Sequence, residues 1–122
     1  NVSPSKDNWI GGGSGMSYVG YNSIVTKTYI RIELYINSGD KANNKAIFDA
    51  LCTKKDKIES DFGEPLIWER LDDKVTARIK FELNNVNIFN EEDWGKMIAF
   101  MVDAVPRFER AFKKPIQELN RK

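Results

Sequence analysis

The chain has 122 residues, 41% hydrophobic and 30% charged, with 19 basic residues against 18 acidic and a formal net charge of +1. That length suits one independent domain, and the near balance of charge gives no bulk attraction to nucleic acid or to membranes. Histidine is absent, which removes Ser-His-Asp and Cys-His catalysis and most zinc or non-haem iron centres, so no metal and no cofactor are expected.

Residues 1–16 form a polar lead-in with Pro4, Trp9 and the run Gly11-Gly12-Gly13-Ser14-Gly15. The run lacks the Lys-Ser/Thr of a P-loop, and no strand precedes it, so it does not read as a phosphate cradle. The chain starts without methionine and without a signal peptide, which predicts a piece of a longer protein. The remainder, 17–122, reads as one α+β core.

From Met16 the pattern has period two: Tyr18, Gly20 and Asn22 alternate with Val19 and Tyr21, leading into Ile24 and Val25. After Thr26-Lys27-Thr28, Ile30, Ile32, Leu34 and Ile36 take one side of a strand. Tyr29, Arg31, Glu33 and Tyr35 take the other. This predicts a hairpin with one buried and one polar face. Asn37-Ser38-Gly39-Asp40 breaks it, and Ile47, Leu51, Ile58 and Phe62 predict one helix from Asn44 to Phe62, closed by Gly63 and Pro65. Cys52 borders the stripe as a semi-buried residue. As the lone cysteine it cannot form an internal disulfide, and this fits a reducing, cytoplasmic setting.

A second hairpin follows, with Glu64–Leu71 as one strand, Asp72-Asp73-Lys74 as its turn and Val75–Leu83 as the return. Asn90 is the expected N-cap of a final helix with Glu91, Glu92 and Asp93 at its positive end. Trp94, Met97, Ile98, Met101, Val102 and Val105 form its expected core stripe, extended by Phe108, Phe112, Ile116 and Leu119, with a kink or break at Pro106. No apolar run approaches the roughly 18 residues of a membrane span, so no membrane partner is expected. The order β-β-α-β-β-α predicts a four-stranded antiparallel sheet with helices packed on one face.

The uncovered sheet face should then present Tyr29, Arg31, Glu33, Tyr35, Arg78, Lys80 and Glu82, with Glu69 or Arg70 alongside. Such a surface suits a phosphate, a carboxylate or a stacked base, and it equally suits ion pairs that keep a sheet soluble. Glu33 and Glu69 are a conceivable acid–base pair. Asp72-Asp73-Lys74 spells part of a metal-dependent nuclease motif but falls where the hairpin must turn.

Several stretches resemble the domain-of-unknown-function family numbered 4268: Ile32–Ile36, Asn44–Leu51, Phe62–Leu66, Trp68–Leu71, Ala77–Ile79 and Glu91–Trp94, with Trp9 and Ser14-Gly15 in the lead-in. The resemblance spans about Ser3 to Leu119. It implies a C-terminal accessory domain of bacterial or archaeal proteins, often following a restriction-nuclease-like domain, with no assigned activity of its own. Trp9, Glu33, Trp68 and Arg78 match recurring positions of that family. The resulting expectation is a non-catalytic module that helps an upstream nuclease-like domain hold nucleic acid through Trp9, Arg31, Glu33, Tyr35, Glu69, Arg78 and Lys80. The alternative is a protein-interaction or homodimerisation domain.

Overall fold

A computed structural model describes residues 18–120. The expected lead-in, Trp9 included, lies outside the described residues. The element order is β1 (Val19–Val25), β2 (Tyr29–Ile36), α1 (Lys41–Cys52), α2 (Lys55–Phe62), β3 (Ile67–Glu69), β4 (Ala77–Asn84) and α3 (Trp94–Asn120), the last preceded by a single 3-10 turn at Glu91–Asp93. The fold is the expected α+β arrangement with one more helix, because the predicted Asn44–Phe62 helix is two.

All four strands form one antiparallel sheet in the order β1-β2-β4-β3. The β1–β2 turn is held by Thr26, whose hydroxyl oxygen accepts from the backbone N–H groups of Thr28 and Tyr29 at 3.1 and 3.0 Å. The register Tyr21↔Leu34 and Leu34↔Ile79 puts Val19, Tyr21, Ile32, Leu34, Ile36, Ala77 and Ile79 on one buried face. The helices cover that face. Phe108 of α3 lies at its centre, with ring centroids 6.2 Å from Tyr21, 5.9 Å from Phe62 and 4.8 Å from Phe112. A smaller cluster at the other end joins Ile30, Val86 and Met97.

Local chemistry explains where boundaries depart from the periodicity. Asp40 caps α1 by accepting from the Asn43 N–H, so the helix starts at Lys41. The Thr53 hydroxyl donates back to the Ala50 carbonyl at 2.6 Å, a local bond that competes with helix continuation. The chain turns there before α2 begins. Gly63, at φ +100°, closes α2 in the left-handed conformation that glycine adopts without strain.

The second hairpin is shorter than expected: β3 has three residues and β4 starts at Ala77. The carbonyls of Arg70, Leu71, Val75 and Thr76 are taken by side chains of α1 instead of by a strand ladder. Helix α3 runs unbroken through Pro106 and Pro115. Pro106 deprives the carbonyl four residues back, that of Val102, of its donor. Val102 is exposed, so water is at hand for that oxygen.

Candidate interaction surfaces

The polar sheet face gathers Arg31, Glu33 and Tyr35 of β2, Arg78, Lys80 and Glu82 of β4, and Glu69 of β3, as cross-strand register requires: Tyr35↔Arg78, Glu33↔Lys80, Arg31↔Glu82 and Glu69↔Arg78. Six of the seven predicted site residues therefore come together. They are not open, however. Glu33 is only 2% exposed, and the side chains of Arg31 and Lys80 are each 12% exposed. Glu33 accepts from Arg31 Nε at 3.1 Å and from Asn22 Nδ2 at 3.2 Å. Arg31 also donates to the Tyr29 hydroxyl and lies over its ring. Arg78 Nε is 2.5 Å from Glu69 Oε1, and Lys80 bridges Glu69 and Glu82 at 3.4 and 2.9 Å.

Three cations thus meet three carboxylates of the same face. Partial burial pushes the Glu69 carboxyl up, but the Arg78 hydrogen bond and charge, with Lys80, outweigh it and hold Glu69 below its ordinary pKa. Glu33 and Glu69 lie on strands separated by β4, with Arg78 and Lys80 between them, so they share no acid–base site. Arg70 belongs elsewhere: its guanidinium pairs with Asp49 of α1 at 2.9 Å and with Asp72 at 2.5 Å.

The Asp72-Asp73-Lys74 segment is a turn, with the Lys74 N–H donating to the Leu71 carbonyl at 2.8 Å. Beneath it sits a feature the periodicity did not single out. Lys45, 6% exposed, donates from Nζ to the carbonyls of Arg70, Leu71 and Thr76 at 2.5, 2.7 and 2.6 Å. Asn44, fully buried, donates to the Val75 carbonyl and accepts from the Ser38 N–H, both at 2.8 Å. Removal from water lowers the Lys45 pKa, while three carbonyl acceptors demand all three ammonium protons. This hub anchors the 70–76 loop and leaves the amine no room to act on a substrate.

The outer face of α3 is a different kind of surface. Met97, Phe108, Phe112 and Ile116 face the core as expected, joined by Ala104, but Trp94, Ile98 and Val102 do not. Ile98 is 62% and Val102 70% exposed, and Phe89 in the preceding loop is more exposed still. Positions 94, 98 and 102 lie on one ridge of the helix. Gly95, Ala99 and Pro106 beside them are exposed too, and a Cβ at Gly95 would meet nothing within 4 Å. The signal was in the sequence: between 94 and 106 only Lys96 and Asp103 are charged, an apolar arc too wide for one sheet to cover.

Several charges outside ion pairs are segregated along the same helix and the turn before it. Glu91 and Glu92 stand exposed at its start. Near its end, Arg110, Lys113 and Lys114 line a shallow concavity of about 240 Å³ with Gln117 and Glu118. Among the described residues, Glu91, Glu92, Arg110, Lys113 and Lys114 enter no ion pair. No group of three or more metal-ligating side chains occurs among the described residues, and none of their helices is long and apolar enough to cross a membrane.

One protein family, described as a domain of unknown function (DUF4268), matches residues 1–116. No curated protein and no solved structure matches the chain.

Proposed function

The chain belongs to the DUF4268 family, and on that footing we propose that this domain is a non-catalytic docking module that binds protein through the outer face of α3. The observation that carries the reading is the uncovered ridge Trp94-Ile98-Val102, flanked by Gly95 and Ala99. Water contact with such a surface is costly, and the largest exposed apolar patch of a monomer is often functional. Glycine inside an exposed helix costs up to ~1 kcal/mol relative to alanine. At Gly95 nothing within the described fold requires it, whereas a partner's close approach does. Any nuclease chemistry then belongs to a neighbouring domain and this one supplies attachment.

The test is site-specific photo-cross-linking in cells. A photoreactive residue at position 102 should give a discrete covalent adduct that is absent when the same residue replaces Lys27 in the exposed β1–β2 turn. Equal or absent adducts at both positions would refute a docking role for this face.

A second reading, nucleic-acid binding, is favoured by the unpaired Arg110, Lys113 and Lys114 rather than by the sheet face, whose cations are already engaged. Three phosphate contacts would give a log–log salt slope of about −3 in fluorescence anisotropy on duplex DNA. Exchanging these three for glutamate should abolish it, and Arg31→Ala with Arg78→Ala should not. No binding at low salt would eliminate this reading.

A further inference from the structure

We propose that the occupant of the α3 face is a second copy of this chain, packed antiparallel across a two-fold axis between Ile98 and Val102; this rests on the docking reading above. With Lys96, Asp103 and Glu118 held in ion pairs, the groups left over along the turn 91–93 and α3 read acidic, apolar, basic: Glu91 and Glu92, then Trp94, Ile98 and Val102, then Arg110 and Lys113. Reversing the direction of such a helix produces its own complement. At 1.5 Å per residue, Glu91 and Arg110 lie roughly 15 Å on either side of the midpoint. A two-fold operation there brings the acidic start of each copy to the basic end of the other, twice.

None of these four charged residues enters an ion pair among the described residues, so none must break an existing contact to engage. A parallel partner helix of the same sequence would oppose like charges at both ends. The apolar part is self-complementary as well. The large side chains of Trp94, Ile98 and Val102 stand beside the low ground of Gly95 and Ala99, so ridge can enter groove in both directions. The exposed apolar area of the ridge with Phe89 is on the order of 400 Å². Doubled by symmetry it approaches the ~1,000 Å² total that a specific interface needs, which points to a reversible dimer.

The experiment is sedimentation equilibrium of the whole chain from about 1 to about 500 μM, a range that brackets weak homodimers. The mass should rise from 14.0 kDa toward twice that value. I98E should hold it at the monomer mass with an unchanged circular dichroism spectrum. The decisive arm is a charge swap. E91K/E92K alone and R110E/K113E alone should each weaken self-association at least tenfold, and an equimolar mixture should restore it as a heterodimer. Weakening by each swap alone is expected only of the antiparallel pairing, because a parallel pair opposes like charges with or without it, and restoration in the mixture shows that charge and not a damaged fold caused the weakening. Monomer mass at every concentration, or a mixture no tighter than its components, overturns the second copy as occupant. The position-102 photoadduct separates the two failures: an adduct to a different polypeptide overturns self-association and leaves the docking face standing, and no adduct at all removes both.

Discussion

Replacing Lys45 with methionine removes three hydrogen bonds and almost no volume, so its effect isolates the polar hub under the 70–76 loop. Three carbonyls lose the Lys45 donor; that of Leu71 keeps the Lys74 N–H, and an acceptor left unpaired costs about 1–3 kcal/mol. Two effects offset this sum. Arg70 is exposed and its carbonyl can rehydrate, and an ammonium group no longer has to leave water, a relief of several kcal/mol. The expected net loss is about 2–3 kcal/mol. With a urea m-value of about 1.5 kcal/mol/M, the unfolding midpoint should fall by about 1.3–2 M. Lys41→Met, exposed in the first turn of the same helix, should stay within about 0.5 kcal/mol. Lys45→Arg should also destabilise, because a planar fork cannot place three donors where one nitrogen now stands. Amide hydrogen exchange should quicken across the loop in the methionine variant before it does in β1 or β2. A midpoint within about 0.3 M of the parent would refute the premise that these carbonyls depend on Lys45.

Phe108→Ala should cost about 3–5 kcal/mol in urea unfolding, the range for a large aromatic removed from a close-packed core, whereas Ile98→Ala and Val102→Ala should each cost less than about 0.5 kcal/mol in dilute protein. Gly63→Ala should destabilise by about 1 kcal/mol, because a side chain at φ +100° is strained even though the new Cβ would meet the Arg107 guanidinium only at an ordinary contact distance of 3.5 Å. Glu69 and Glu59 both have pKa values held below the ordinary carboxylate range. For Glu59, burial works upward and is outweighed by the Leu66 N–H and the Trp68 indole N–H. Their folded pKa values lie below the unfolded ones, so the stability they contribute is complete above about pH 4.5 and is lost as pH falls through the folded values. Thermal midpoints should therefore drop on acidification below about pH 4.5, and Glu69→Gln should lower the midpoint at pH 7 while making the acid limb shallower. An unchanged acid limb would refute the Arg78–Glu69 contribution.

The alternation Ile30-Ile32-Leu34-Ile36 was enough to place β2 and its buried face, because a period of two has one solution when a helix layer covers one side. Register then brought Arg31, Glu33, Glu69, Arg78 and Lys80 together as the alternation implied. The ion-pair alternative was legible in the mixed charge of this face; which cation meets which carboxylate was not, because pairing geometry depends on which strand lies beside which. Sequence adjacency implied the two hairpins, both of which pair, but not the order in which they meet, which sets β2 against β4. The short second hairpin was equally hidden. Its carbonyls are satisfied by Asn44 and Lys45, about 30 residues upstream, and no local pattern encodes a donor at that distance. On α3, apolar periodicity counted Trp94, Ile98 and Val102 as core because it registers side-chain type and not the extent of sheet available to cover them.

Placing β2 at the centre of the sheet has a kinetic consequence. The β1–β2 hairpin needs only the three-residue turn 26–28 and can form in microseconds. The β2–β4 pairing must close residues 37–76, a segment of about 40 residues whose closure entropy is ~3 kcal/mol in a flexible chain. Nothing repays that cost until β4 has arrived and Phe108 has a floor to pack on. Until then the isolated hairpin, with Ile30, Ile32, Leu34 and Ile36 in water, is marginally stable at best. Within the segment being closed, α1 carries Lys45 toward the 70–76 carbonyls and shortens the excursion the chain must make. Closing that long segment, rather than forming any helix, should set the pace at which this domain folds.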